Sequence, residues 1–246
     1  MKRKKNLAPV PAKTVFLFDV DNTLLDNDRV TADLKHHLEK EVGLEGSRSY
    51  WNIFEGLRNK LGYADYLGAL QRYRVENPRD PRLIAVSRFL IDYPFAKRLF
   101  PDSLKVLHRV ERWGPTVLLS DGDVVFQPRK LERSGLSEAV HRKVLIYVRK
   151  DRQLGDVERR FPADHYVMVD DKVRILAAVK KNWGPKVTTI FVRQGHYALD
   201  KKILTTYPPA DVSIGRIGAL LDLDLIKFTI GAKIAREREI DRYESK

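Results

Sequence analysis

Two aspartates separated by a single residue, Asp19 and Asp21, directly follow the apolar run Val15–Phe18. A short apolar run that ends at such turn-forming residues predicts a buried β-strand. Two carboxylates placed just beyond the end of one strand can enter the same site. There, one carboxylate can attack as a nucleophile while the other gives and takes a proton.

Other reactive side chains stand close behind later apolar runs: Ser120 and Asp121 behind Thr116–Leu119, Lys150 behind Val144–Val148, and Asp170 and Asp171 behind Tyr166–Val169. A carboxylate cluster with open coordination positions suits Mg²⁺, a hard cation that keeps water and phosphate oxygens among its ligands. A metal ion beside a hydroxyl and a lysine is suited to bind a phosphoryl group.

The elements that must position these residues are predicted from the same apolar runs, together with a fifth run at Val187–Val192. Most runs are continuously apolar, which is typical of parallel strands covered by helices on both faces. Helical patterns occupy the gaps between them. The sequence therefore predicts an α/β fold with a doubly wound, Rossmann-like parallel sheet of about five strands. Ligands of such sheets bind at the carboxyl ends of the strands, where the reactive residues are expected.

A long segment separates the first two predicted strands and exceeds any single crossover loop. Apolar residues at four-residue spacing, such as Leu34, Leu38 and Val42, predict helices within it. We refer to this all-helical insert as the cap. The predicted organisation is a basic tail (residues 1–13), an α/β core (14–27 and 96–225), the cap (28–95) and a charged C-terminal helix (226–246).

Composition narrows the function classes. The 246 residues contain no cysteine, which excludes disulfides, cysteine-ligated metals and a thiol nucleophile. No apolar run is long enough to cross a membrane, and the basic start lacks a signal-peptide core, so we expect a cytoplasmic protein without a membrane partner. The formal net charge of +13 favours anionic partners such as phosphates or nucleic acids.

Three motifs together resemble a known family. The segment VFLFDVDNTLL, which contains Asp19, resembles the DxDxT motif of the haloacid dehalogenase superfamily of phosphohydrolases. Leu118–Ser120 resembles its second motif, a strand that ends in Ser or Thr, and Val167–Lys172 resembles its acidic fourth motif. The resemblance spans about residues 14 to 215 in the expected order, with the cap where one class of the family carries it.

This resemblance implies a role for each matching residue. It makes Asp19 the nucleophile that forms an aspartyl-phosphate, and Asp21 the acid/base that protonates the leaving oxygen and then activates water. It implies Mg²⁺ held by Asp19, by Asp21 through its backbone carbonyl, and by an acid of the fourth motif, either Asp171 or Asp170. Ser120 would donate a hydrogen bond to the phosphoryl oxygens.

The phosphate-binding residues implied by the resemblance are Ser120, Asp121, Lys150, Asn22 and Thr23. The family lysine often precedes a proline, but this chain has no Lys-Pro. Lys150 follows the third predicted strand and so belongs to the correct edge of the sheet. Lys143, which precedes that strand, and Lys172, within the fourth motif, remain alternatives.

The predicted function is Mg²⁺-dependent hydrolysis of a small phosphorylated metabolite through an aspartyl-phosphate. The resemblance favours a phosphatase over a dehalogenase because the family's dehalogenases lack an aspartate at the place of Asp21. A phosphomutase or a dehalogenase of the same superfamily remains an alternative. The positive charge keeps a nucleic-acid-binding or polynucleotide end-phosphatase role open, although no nucleic-acid-binding motif supports it.

Overall fold

The computed structural model describes residues 12–225. Its sheet has six strands, all parallel, in the order β3-β2-β1-β4-β5-β6. The strands are β1 (Ala12–Phe18), β2 (Thr116–Asp121), β3 (Val144–Tyr147), β4 (Ala163–Asp170), β5 (Val187–Val192) and β6 (Val212–Ile214). The doubly wound α/β prediction is confirmed. The sixth strand was not predicted, because three residues are too few to show a pattern.

Helices cover the sheet and form the insert between β1 and β2. They are α1 (Asn27–Leu61), α2 (Tyr66–Glu76), α3 (Leu83–Asp92), α4 (Ser103–Val110), α5 (Phe126–Arg133), α6 (Leu136–Ala139), α7 (Leu154–Arg160), α8 (Val173–Trp183), α9 (Gly195–Leu199) and α10 (Lys201–Thr206). Helices α1 to α3 are the helical elements predicted for the cap.

The apolar character of β1 follows from its central place in the sheet. Phe16 and Phe18 belong to the core cluster that extends into the cap, whereas Val15 and Leu17 belong to the cluster on the opposite face. Alternate residues of a strand point to opposite faces, so a strand buried on both faces is apolar throughout. Asp19 is the first residue after this buried strand.

Helix α1 consists of two helices that meet at a kink. Gly43 interrupts it with φ 81° and ψ 173°, a conformation that favours glycine. The helix ends at Gly62, also left-handed, whose N–H donates to the Arg58 carbonyl at 2.9 Å. The kink divides α1 into two arms, which both face the cleft described below.

The boundary between the predicted basic tail and the core differs from the prediction. Strand β1 begins at Ala12, so the last two residues of the predicted tail belong to the sheet, and Ala12 N–H donates to the Pro162 carbonyl at 2.9 Å. Residues 1–11 and the predicted C-terminal helix at 226–246 lie outside the described residues. Between residues 12 and 225, no helix is long and apolar enough to cross a membrane.

Candidate active site

Three buried carboxylates meet at the carboxyl ends of two adjacent strands. Asp19 follows β1, Asp170 is the last residue of β4, and Asp171 follows it. Each offers an oxygen atom, and these atoms lie within 4.8 Å of one another. Anionic groups this close inside a protein require nearby cations.

One of these cations is Lys150, whose side chain is 1% exposed. Its Nζ contacts the Asp19 carboxylate and lies 2.7 Å from Asp170 Oδ2. The Lys150 backbone N–H donates to Asp121 Oδ1 at 2.7 Å, which fixes the short turn after β3. The residue preferred from the sequence therefore contacts the proposed nucleophile.

Of the two alternative lysines, Lys143 lies away from the carboxylates, whereas Lys172 is close enough for Asp171 and Asp19 to raise its pKa against the effect of burial. Lys143 Nζ lies 3.9 Å from Glu111 at the opposite edge of the sheet, as its place before β3 predicts. Lys172 lines the cleft above the carboxylates, and its ammonium lies 5.3 Å from the centre of the Tyr197 ring.

The charges of the site favour an ionised Asp19. Burial alone would raise the pKa of this carboxyl, but the ammonium groups of Lys150 and Lys172 outweigh burial and hold the pKa below its usual range. Burial likewise disfavours the charged form of Lys150, yet Asp170 and Asp19 raise its pKa above the usual lysine value. Asp19 thus has the charge state that a carboxylate nucleophile needs.

The Asp171 carboxylate is fully buried. Among the described residues, neither of its oxygens accepts a hydrogen bond. Burial raises the pKa of this carboxyl well above its usual value, and Lys172 only partly offsets the effect. Asp170 differs, because it pairs with Lys150 and accepts the Lys172 backbone N–H at 2.8 Å. The oxygen donors of Asp19 and Asp171 suit a hard divalent cation such as Mg²⁺, and an unpartnered buried carboxylate fits a metal ligand.

Asp21 lies at the border between this buried cluster and the cleft, and its side chain is 21% exposed. Lys130 Nζ lies 2.6 Å from Asp21 Oδ1, and Gln127 Nε2 donates to Asp21 Oδ2 at 3.3 Å. The Gln127 amide also donates to Ser120 Oγ at 2.8 Å. Sequence reasoning missed Gln127 and Lys130. The available signal was their spacing of three residues on α5, which puts both on one helix face.

The side chain of Asn22, which was predicted to bind phosphate, contacts the start of α1. Its Oδ1 accepts the backbone N–H groups of Asn27 at 3.0 Å and Asp28 at 3.1 Å, and its Nδ2 donates to Asp28 Oδ1 at 2.9 Å. Its own backbone is left-handed, with φ 63°. These contacts satisfy free N–H groups at the start of α1, so the Asn22 side chain caps the helix together with Asp26, the N-cap residue, which accepts the Arg29 N–H.

Thr23 and Asp121 also make internal contacts. Thr23 Oγ1 donates to Asp19 Oδ2 at 3.2 Å and accepts the Asp171 backbone N–H at 3.0 Å. The Asp121 carboxylate accepts the Lys150 backbone N–H, and burial raises its pKa. These contacts favour a positioning role for both side chains over direct phosphate binding.

A cleft of about 1100 Å³ lies between the cap and this edge of the sheet, and Asp21 and Asp121 line it from below. Both arms of α1 contribute to its cap side, through Lys35, Arg48, Trp51 and Arg58 among others. From the sheet edge, His196 borders the cleft and its Nδ1 lies 2.6 Å from Asp28 Oδ1. The cleft therefore has room for an organic ligand beside Asp21.

Comparison with solved structures found close and distant similarities. A haloacid dehalogenase-like hydrolase from Burkholderia xenovorans is 60% identical, with 87% of this chain and 97% of that chain covered and a TM-score of 0.83. A magnesium-bound HAD-hydrolase from Bacillus subtilis is 14% identical, with 87% and 98% covered and a TM-score of 0.57. The L-2-haloacid dehalogenase from Xanthobacter autotrophicus is 16% identical, with 88% and 99% covered and a TM-score of 0.51. These two share the fold. No protein-family model and no curated protein matched the chain.

Proposed function

This chain belongs to the haloacid dehalogenase-like hydrolases, and we propose that it hydrolyses a small phosphate monoester through an aspartyl-phosphate on Asp19. The observation that carries the proposal is the pair of carboxylates at the site: Asp19, ionised beside Lys150, and Asp21 at the cleft. An alcohol leaving group needs a proton, whereas a halide does not. The presence of Asp21 therefore favours a phosphate ester over a haloacid.

The proposed reaction has two steps. In the first, an Asp19 oxygen attacks phosphorus, the bond to the ester oxygen breaks, and Asp21 gives that oxygen a proton so that the alcohol leaves. In the second, Asp21 takes a proton from water, which attacks phosphorus and releases inorganic phosphate and the Asp19 carboxylate. Ser120 and Lys150 would donate hydrogen bonds to the phosphoryl oxygens and stabilise their charge.

Mg²⁺ is the proposed cofactor. Asp19, Asp171 and the backbone carbonyl of Asp21 would hold it, while Asp170 stays with Lys150. The partnerless oxygens of Asp171 and the magnesium-bound relative from Bacillus subtilis support this assignment. When bound, the ion supplies positive charge that offsets the repulsion between a phosphoryl group and the carboxylates.

We assign residues 28–95 the role of a cap that selects the organic part of the substrate. Helix α1 contributes both of its arms to the cleft, so a movement of this helix changes the size of the cleft. A cap that closes also excludes bulk water from the phosphoryl group.

The test is phosphate release from a panel of phosphomonoesters, with Mg²⁺ and with EDTA, by the wild type and by Asp19→Asn. We expect release that requires both Mg²⁺ and Asp19. Halide release from 2-haloacids without phosphatase activity would assign the chain to the dehalogenase reaction instead. Isomeric phosphate esters without free phosphate would identify a mutase.

A further inference from the structure

A second buried lysine, Lys130, contacts the proposed acid/base and takes no part in the reaction as described above. Its side chain is 1% exposed, and its Nζ lies 2.6 Å from Asp21 Oδ1 and 2.9 Å from Asn27 Oδ1. An ammonium group loses much of its hydration on burial, so such a lysine is retained only where specific acceptors replace the water. Here, the first of these acceptors is the proposed acid/base.

The two oxygens of Asp21 are held differently. Oδ1 pairs with the Lys130 ammonium, whereas Oδ2 accepts, within residues 12–225, the longer hydrogen bond of 3.3 Å from the Gln127 amide. Gly122 permits the close approach of Gln127, because a Cβ at this position would lie 2.8 Å from the Gln127 Cβ. One oxygen is thus anchored by a charged group, and the other is the more available for proton exchange.

We propose that Lys130 is a positioning residue of the reaction, which fixes Asp21 Oδ1 so that Oδ2 delivers the proton to the leaving oxygen and later removes one from water. This inference rests on the proposed phosphatase function. A general acid acts only within hydrogen-bond reach of the oxygen that it protonates, so its orientation controls its contribution. Lys130 acts through Asp21 and does not need to touch the substrate.

The same lysine connects the acid/base to the cap. Asn27 is the first residue of α1, and its Nδ2 lies 3.4 Å from the Tyr66 hydroxyl at the start of α2. The Lys130 ammonium therefore bridges Asp21 and the first residue of the cap helices. A neutral donor could orient Asp21, but a lysine can hold the carboxylate and the Asn27 amide oxygen at once.

A comparison of two substrates with different leaving groups distinguishes a loss of acid/base positioning from a general loss of activity. An alkyl phosphate has a poor leaving group that needs the acid, whereas p-nitrophenolate leaves without a proton. For Lys130→Met, we expect kcat/KM for a primary alkyl phosphate to fall about 10- to 100-fold more than for p-nitrophenyl phosphate, which is part of the roughly 10²- to 10⁴-fold that general acid catalysis contributes. Lys130→Arg should recover part of the loss. The matched control is Lys180→Met, which removes a lysine paired with Asp211 at 2.8 Å on the far side of the core and should leave the ratio unchanged.

Two results would overturn the inference. One is an equal loss of kcat/KM with both esters in Lys130→Met. The other comes from urea unfolding of the wild type, Lys130→Met, Asp21→Asn and the double variant, which requires no turnover. Residues in direct contact should give non-additive shifts of the unfolding midpoint, and additive shifts would contradict the contact. A wild type inactive on both esters would instead refute the proposed function, and the unfolding cycle would still report on the contact separately.

Discussion

The Lys150 ammonium lies 2.7 Å from Asp170 Oδ2, although the strands that precede these residues, β3 and β4, are separated in the sheet by β2 and β1. The same ammonium contacts Asp19 at the end of β1. One side chain thus joins the ends of strands across the centre of the sheet. Together with Lys172, it also supplies positive charge that offsets the burial of Asp19 and Asp170.

Removal of this ammonium should therefore affect both stability and turnover. Lys150→Met leaves two buried carboxylates without their main partner, so we expect a loss of about 3–5 kcal/mol in the free energy of unfolding and no phosphate release. Urea unfolding and a phosphate assay measure the two effects. Lys143→Met is the control, since Lys143 lies at the opposite edge of the sheet, 3.9 Å from Glu111 and 3.5 Å from the Val140 carbonyl. Full activity in Lys150→Met would contradict the assignment.

The proposal makes Asp171 a ligand of Mg²⁺ and leaves Asp170 paired with Lys150, so substitutions of the two residues should have different effects. A ligand that binds only the folded state raises the melting temperature, so Mg²⁺ should stabilise the wild type. Asp171→Asn should abolish most of this shift, because it removes a carboxylate oxygen that has no other partner. Asp170→Asn should retain more of it while weakening the contact with Lys150. Equal shifts in the wild type and Asp171→Asn would show that Asp171 is not a ligand.

Asn22 should behave as a helix cap and not as a substrate-binding residue. Asn22→Ala removes the acceptor for the first N–H groups of α1, and we expect a loss of about 1 kcal/mol in the free energy of unfolding. KM for the best phosphate ester should change little. A large rise in KM with unchanged stability would restore the phosphate-binding role expected from the sequence.

Asp33 should make the stability of the fold depend on pH. This residue of α1 contacts Tyr93 and Arg98, which follow α3 in the chain. Burial opposes ionisation here, but the Tyr93 hydroxyl and the Arg98 guanidinium outweigh it and hold the pKa of Asp33 below its usual value of 3.8. The charged carboxylate therefore stabilises the fold above pH 3.8, and this contribution is lost as the pH falls through the lower folded-state pKa.

Asp33→Asn should consequently be less stable than the wild type near neutral pH, and the difference should shrink in strongly acidic solution. Urea midpoints measured from neutral to strongly acidic pH test this expectation. Asp164→Asn serves as the control, because this exposed aspartate makes none of the described ion pairs among residues 12–225. A difference that grows as the pH falls would contradict the direction of the pKa shift.

Much of this architecture can be predicted from the sequence because the strands are buried on both faces. Runs such as Val15–Phe18 must be apolar throughout, which reveals the strands and, at their ends, Asp19 and Asp171. Lys130 has only its three-residue spacing from Gln127 as a signal, and a lysine on a short helix is usually solvated. Only its burial against Asp21 reveals the contact. The contacts of Asn22 with the start of α1 could not be predicted, because they depend on a left-handed backbone that the sequence does not display.

The most direct test of the central claim is to find the phosphoryl group on Asp19. Asp21→Asn should slow attack by water more than the first transfer from p-nitrophenyl phosphate, because only the second step needs a base with this substrate. Acid quench after mixing with this ester and Mg²⁺, followed by peptide mass spectrometry, should find a phosphoryl adduct on the peptide that contains Asp19. The Asp19→Asn variant should give none. Phosphate release by the wild type would contradict the proposed intermediate if Asp21→Asn gave no adduct and Asp19→Asn remained active.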